Sequence, residues 1–502
     1  MSSIELLLNG FSTAAVGWNL LYCFIGVTVG MFIGVMPGLG PTAGTAMLIP
    51  VTFGMDPISA IIMLAGIYYG AMYGGTVTSV LINTPGEAAS VITCLDGYEM
   101  TKQGRAGVAL GVSAIGSFIG GTFSVIALTF LAPFISNIAL KFGPPEFFCL
   151  LFLGLTMLLG LMGNSVLKGL MAAMFGFLIS FVGLDVVTGE VRFDFEMLYL
   201  LRGIDLVPLV MGLFGISEII YCLTNKTEQQ DEKLAEIKKL LPEKHEWKPV
   251  GKSIGRGTII GFFIGIIPGA LAVIASIASY TVEKKTAKDP TRFGRGAIEG
   301  VAGPETANNA CAGSSMIPLF TLGIPTSPTV AVLFGALMIH GLAPGPMLFK
   351  NESTLVWAVI ASMFIGNAML LIMNLPMARF WAKVALVPYK VLYPAIVVFC
   401  VVGAYSINYR VWDVGMMMIF GVIGYFMKRL DIPMAPAVLT FVLGDQIERA
   451  LSQSLTMSHG SMLIFVRSPI CIVILAVIAA IIAFSAYSRL SKRGLIIEDA
   501  EI

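Results

Sequence analysis

Four Pro/Gly breaks interrupt apolar sequence in this chain, and they fall as two matching pairs. The first pair is G-M-F-I-G-V-M-P-G-L-G-P-T-A-G-T-A over residues 30–46 and L-I-N-T-P-G-E-A-A-S over 81–90. The second is G-F-F-I-G-I-I-P-G-A over 261–270 and T-L-G-I-P-T-S-P-T over 321–329. The interval from Pro37 to Pro268 is close to that from Pro85 to Pro325. An interrupted helix leaves backbone N–H and C=O groups unpaired, and hydrocarbon cannot satisfy them. Breaks at membrane depth persist only where protein, water, ions or substrate supply partners. Paired breaks in corresponding positions of two halves are the sequence signature of a transport site.

That argument needs a membrane, and composition supplies it. Residues are 57% hydrophobic and 12% charged, where soluble chains carry about one quarter charged residues. Mean hydropathy is +0.87. The 55 glycines among 502 residues suit closely packed membrane helices. The expected fold is an all-α polytopic membrane protein with about 11–13 transmembrane helices, in two structural repeats, inverted relative to one another, with broken helices or re-entrant hairpins. A net charge of +1 with no Lys/Arg-dense arm gives no sign of a nucleic-acid partner. The seven cysteines are dispersed and form no C-x-x-C, so they read as packing residues. The three histidines lack metal-ligand spacing. Residues 1–15 contain no Lys or Arg, so no cleavable signal peptide is expected.

Charge sets the organisation. Residues 224–256 carry Lys226, Lys233, Lys238, Lys239, Lys244, Lys248, Lys252 and Arg256 mixed with acids. The positive-inside rule places this linker in the cytoplasm, together with 283–295 and the tail. Residues 1–223 form the first membrane repeat, 257–490 the second with extra helices, and 491–502 a cytoplasmic tail. The first Lys or Arg of the chain is Lys102, so an outside N-terminus and an inverted repeat follow. Residues 255–282 read as a hairpin with its tip at Pro268-Gly269, or as one kinked, tilted span. Residues 376–393 interleave Arg379, Lys383 and Lys390 with aromatics, which suits the headgroup level.

The breaks offer hydroxyls, amides and free N–H groups with few cations. A helix starting after each break aims a partial positive charge at whatever binds. Candidate substrate contacts are Gly38, Gly40, Thr42 and Thr45, then Asn83, Thr84, Pro85 and Gly86, then Ser314, Ser315, Gly323, Pro325, Thr326 and Ser327. A Na⁺ position is expected near Asn83, Glu87, Gly269 and Asn308. Glu87 reads equally as an ion or proton ligand and as a helix cap; Glu305 is a similar case. Asp445, Glu448 and Arg449 read as an ion-paired helix end. Val250-Gly251-Lys252-Ser253 imitates a phosphate loop, but Glu246 stands where that motif needs glycine. No H-E-x-x-H or G-x-S-x-G occurs, so enzymatic hydrolysis is not expected.

Three long motifs also carry a resemblance. G-V-M-P-G-L-G-P-T-A-G-T-A, N-T-P-G-E-A-A-S-V-I-T-C-L-D-G-Y-E-M-T-K-Q-G-R-A-G-V-A-L-G and P-L-F-T-L-G-I-P-T-S-P-T-V-A-V-L-F-G-A-L-M-I-H-G-L-A-P-G-P resemble the large membrane subunit of tripartite tricarboxylate transporters, the TctA family. The resemblance covers roughly residues 17–490. Where the family often has G-I-P-G-S-A-T, this chain has Gly323-Ile324-Pro325-Thr326-Ser327-Pro328-Thr329. The resemblance implies a secondary transporter for di- or tricarboxylates in a bacterial cytoplasmic (inner) membrane, coupled to Na⁺ or H⁺ and needing no other cofactor. It also implies a small membrane subunit of about four spans and a periplasmic solute-binding protein as partners. A passive anion channel and an intramembrane enzyme are the competing classes.

Overall fold

The computed structural model describes residues 2–36, 38–157, 165–185, 187–224, 237, 239–269, 271–384, 387 and 389–490. Helices α1 (Ser3–Ala14) and α2 (Trp18–Val35) lead to the first break, and α3 (Gly40–Leu48) and α4 (Pro57–Ile82) to the second. Then come α5 (Val91–Lys102), α6 (Ala106–Ala139), α7 (Pro144–Met157) and α8 (Val166–Ser180). A small antiparallel hairpin, β1 (Gly183–Leu184) with β2 (Val191–Arg192), precedes α9 (Leu206–Val210), which runs through a π-turn into α10 (Ser217–Thr224). Helices α11 (Trp247–Ile266) and α12 (Ala272–Thr286) flank the third break. Helices α13 (Glu299–Ser314) and α14 (Met316–Leu322) are separated from α15 (Pro328–Ile339) by the fourth. The chain continues through α16 (Pro346–Asn351), α17 (Ser353–Val384), α18 (Tyr389–Asn408), α19 (Val411–Arg429), α20 (Met434–Met457), α21 (Ile464–Arg467) and α22 (Pro469–Leu490).

This is an all-α polytopic membrane protein. Among the described residues, six helices are long and apolar enough to span a membrane, with shorter apolar helices besides. Helix α13, 16 residues long, is not one of the six; it carries Glu305, Thr306, Asn308, Asn309 and Ser314, every one buried by protein.

Packing divides the chain into two units. One comprises Met1–Leu140 with Asp205–Met434, so all four breaks belong to it. The other comprises Lys141–Ile204 with Ala435–Ile502. In the latter, Thr440 Oγ1 donates to the Ala173 carbonyl at 2.8 Å, and Arg192 pairs with Asp185 at 2.5 Å and with Glu448. Arg449 pairs with Asp445 at 2.9 Å, as an ordinary helix-surface ion pair does.

Glycine spacing sets the close helix pairs of the first unit. A Cβ at Gly26, Gly30 or Gly34 of α2 would lie 2.3, 2.5 or 2.1 Å from the carbonyl oxygens of Met63, Ile67 and Ala71 on α4. A Cβ at Gly257, Gly261 or Gly265 of α11 would meet carbonyls of Gly303, Ala307 and Cys311 on α13 at 2.4, 2.1 and 2.3 Å. Only glycine lets backbones approach this closely. The two sets fall in one register: Gly26 is to Gly257 as Pro37 is to Pro268, and Met63 is to Gly303 as Pro85 is to Pro325.

The third break turns the chain back on itself. Arg256 Nε donates to Glu283 Oε1 at 2.7 Å across 27 residues. In one continuous helix these would stand about 40 Å apart. Helices α11 and α12 therefore form a hairpin, clamped near its basic end by a two-pronged Arg–carboxylate pair. Residues 376–393 differ from the headgroup-level expectation in part. Trp381 is fully buried on α17, packs edge-on against Phe32, and donates its indole N–H to the Met373 carbonyl.

Candidate functional site

The breaks share backbone geometry position by position. Helix α2 ends at Met36 with φ −87° and ψ 108°, and α11 ends at Ile267 with φ −79° and ψ 118°. Gly38 and Gly269 follow with φ 92° and 84°, a region open to glycine at no steric cost. Asn83 caps α4 at φ 51° and ψ 28°, and Gly323 caps α14 at φ 69° and ψ 25°. The next N–H closes each cap in the Schellman manner, Thr84 onto Thr78 and Ile324 onto Pro318. Glu87 (φ −143°, ψ 162°) and Ser327 (φ −146°, ψ 164°) then open the following helical segments. Pro37 and Ala270 lie outside the described residues.

Glu87 is a cap and more than a cap. Its Oε2 accepts the Ala89 N–H at 2.9 Å, and its Oε1 accepts from Asn308 Nδ2 on α13, also at 2.9 Å. With its amide nitrogen turned to the carboxylate, Asn308 leaves its Oδ1 without a hydrogen-bond partner, although the residue is fully buried. A buried acceptor without a donor costs about 1–3 kcal/mol. Such a group marks where a ligand fits.

The fourth break makes the corresponding contact from the other side. Tyr68 on α4 shares a hydrogen bond of 3.3 Å with Ser315. Asn308 on α13 thus meets Glu87 of the second break, and Tyr68 on α4 meets Ser315 ahead of the fourth. Thr326 is buried and its hydroxyl has no partner; the same holds for Thr45 on α3. The Gly269 N–H donates to the Thr326 carbonyl at 2.9 Å, so the third and fourth breaks touch. Thr42 and Thr329 share a 2.7 Å hydrogen bond that joins α3 to α15.

Glu305 lies deeper. Its Oε2 accepts from Thr76 on α4 at 2.6 Å and its Oε1 from Thr93 on α5, so one carboxylate binds the helices on both sides of the second break. Nearby, Asn309 donates to Ser117 at 2.7 Å, and Tyr73 donates to Asn367 at 2.6 Å. Among the described residues no Lys, Arg or His pairs with Glu87 or Glu305.

The structure gathers some of the sequence candidates and disperses others. Glu87 and Asn308 meet, as do Ser315 and Tyr68, while Ser327 caps α15 by accepting the Val330 N–H. Gly86 packs against the Gly34 carbonyl. Pro325 is buried and Pro85 half-buried, and the Thr84 hydroxyl turns to the Ile82 carbonyl. Asn83 is exposed, and its evident work is the left-handed cap, which Asn tolerates better than most residues. Gly38 abuts Glu218, which is itself paired with Lys428, while Gly40 has open space where a Cβ would stand. Ser314 bonds back to Cys311 in its own helix and abuts Gly265 of α11.

Sequence reading missed Tyr68, Thr93 and Asp96. Asp96 is fully buried; its Oδ1 accepts the N–H groups of Gly294, Arg295, Gly296 and Ala297 at 2.7–3.1 Å, and its Oδ2 accepts from Tyr280. Asp96 shares α5 with Glu99 and Lys102, so no isolated charge in apolar sequence marked it out.

The sequence model of the tripartite tricarboxylate transporter TctA family matches residues 20–439. An uncharacterised 52.8 kDa protein in the TAR-I ttuC' 3' region of Agrobacterium vitis is 44% identical over 494 residues, covering 98% of each chain. A second Agrobacterium vitis protein, in the TAR-II ttuC' 3' region, is 44% identical over 241 residues, 48% of this chain and 100% of its own length. No solved structure matches.

Proposed function

The chain belongs to the tripartite tricarboxylate transporter TctA family, and we propose that it is the ion-coupled, carboxylate-translocating subunit of such a system. Membership implies a transporter subunit rather than an enzyme, and a system with further subunits. In our reading those are a small membrane subunit of about four spans and a periplasmic solute-binding protein that delivers a di- or tricarboxylate. The site of action is a bacterial cytoplasmic membrane. The first and second halves are inverted repeats that rock against one another in alternating access, with substrate and coupling ion enclosed by the breaks.

One observation carries this reading: the buried contact of Glu87 at the second break with Asn308 of the other half, together with unpartnered buried oxygens on Asn308 and on Thr326 of the fourth break. A passive anion channel would favour a continuous ring of charged or carbonyl groups along a pore. These breaks instead present two compact sites.

The test is uptake in proteoliposomes with the binding protein present. Citrate should accumulate under an imposed Na⁺ or H⁺ gradient and should exchange in counterflow. Accumulation driven by ATP alone, or flux without counterflow, refutes the reading.

A further inference from the structure

We propose that the two central breaks divide the labour of coupling: the second break, with α13, holds the coupling Na⁺ between the Glu87 carboxylate and Asn308 Oδ1. The fourth break holds the carboxylate substrate through the hydroxyls of Thr326 and Ser327. This rests on the reading of the chain as an ion-coupled carboxylate transporter and assigns ligands within that site.

The argument starts from the matching register, because it makes the differences informative. Glu87 and Ser327 occupy equivalent positions with nearly equal backbone angles. Asn308 corresponds to Tyr68, and Glu305 corresponds to Ala65. One side therefore carries two buried acids and the other none. Backbone geometry is held constant while the chemistry changes, so the change in chemistry decides what each side can bind.

On the acid side, Glu87 presents oxygens and Asn308 presents an unpartnered amide oxygen in the same buried place. Oxygens with no cationic neighbour make a site for a hard cation. A proton needs one acceptor only, whereas the spare Asn308 oxygen supplies a second ligand. Glu305 stands behind this pair, satisfied by Thr76 and Thr93, and adds negative potential. A multivalent anion placed here would face two carboxylates.

On the hydroxyl side no group carries charge: Ser315 donates to the Ala312 carbonyl at 2.6 Å and accepts from Tyr68, the Ser327 hydroxyl accepts the Val330 N–H and keeps its own proton to donate, and the Thr326 hydroxyl has no partner. The start of α15, a 12-residue helix, adds its partial positive charge. Thr326 stands where the second break has Gly86. Its buried, unpartnered hydroxyl is the observation that separates a binding site from mere close packing. Helix α4 carries Tyr68 and also leads into the second break, so a cation and an anion bound at the two breaks would attract, and each would raise the other's affinity by the same factor.

The experiment uses full-length chain purified with its accompanying membrane subunit in nanodiscs, probed with ²²Na⁺ and radiolabelled citrate. Glu87→Gln keeps a carbonyl to accept the Ala89 N–H but removes the charge. It should raise the half-saturating Na⁺ about tenfold or more, roughly 1.4 kcal/mol, while citrate half-saturation at saturating Na⁺ stays near wild-type. Thr326→Val, isosteric without the hydroxyl, should do the reverse. Asn308→Ser is the second cation-side variant should Glu87→Gln not yield monodisperse protein. The division is overturned if both variants shift both ligands alike, or if Thr326→Val moves Na⁺ and not citrate. Citrate binding by wild-type that is equal in Na⁺ and in K⁺ overturns the Na⁺ assignment. Wild-type protein that takes up no di- or tricarboxylate under either a Na⁺ or an H⁺ gradient refutes the transporter reading itself.

Discussion

Gly86→Ala adds one methyl group at the second break, and the structure states what it would strike. The new Cβ would lie 2.0 Å from the Gly34 carbonyl oxygen, 2.7 Å from Gly75 Cα and 2.9 Å from the Thr78 hydroxyl. The first two are backbone atoms, on α2 and α4, so no side-chain rotation relieves them. One partner must recede by roughly 1.4 Å to regain an ordinary 3.4 Å contact. Helix α2 cannot retreat alone, because Gly26, Gly30 and Gly34 seat it against α4 along its length.

Overpacking of this kind costs about 1–3 kcal/mol in ordinary cores, and the backbone opposition puts this site at the upper end, about 3 kcal/mol. Gly40→Ala is the control. It meets nothing within 4 Å and pays only for its positive φ of 59°, about 1–2 kcal/mol. Thermal melting of purified protein, followed by tryptophan fluorescence, should show a clear loss for Gly86→Ala and a smaller one for Gly40→Ala. Citrate uptake normalised to inserted protein should fall about tenfold or more for Gly86→Ala, because displaced break residues misalign the site. Equal melting and uptake in wild-type and Gly86→Ala would refute the reasoning.

Other expectations are more local. Asp96→Ala removes the acceptor of four backbone N–H groups; a loss of about 2–3 kcal/mol is expected, read by chemical denaturation, with faster amide exchange confined to residues 293–298. A single cysteine at Glu236, in the linker outside the described residues, should resist impermeant thiol reagents in intact spheroplasts; periplasmic labelling would invert the topology. In the β1–β2 hairpin, Asp185 accepts from Thr188 and the Val187 N–H and pairs with Arg192, which together lower its pKa from 3.8. A lowered carboxylate stabilises above its unfolded pKa and loses that stabilisation as pH falls through the folded value. Protection of the hairpin amides against hydrogen exchange, taken relative to the intrinsic rate at each pH, should therefore stay flat from pH 7 to pH 5 and fall only below about pH 4.

Much of this was legible in the residues. Hydropathy alone determined the membrane class, since a chain with so few charges has no soluble core to build. The four breaks were readable because Pro and Gly end helices through local backbone chemistry, which needs no tertiary partner. Glu87 and Asn308 were also visible as unusual polar residues in apolar surroundings.

Tertiary structure decided how they pair. That Glu87 meets Asn308, that Ser315 meets Tyr68, and that Glu305 bridges Thr76 and Thr93 are contacts between residues more than 200 positions apart. Spacing along one helix cannot encode them. Asn83 shows the opposite limit: its residue type suggested ligand binding, but its place at the end of α4 uses its tolerance of the left-handed backbone. The hairpin at Pro268 was one of two readings until Arg256 and Glu283 were seen to touch. Local sequence specifies where a helix stops; only packing specifies which helix receives the groups left over, because their partners come from other parts of the chain.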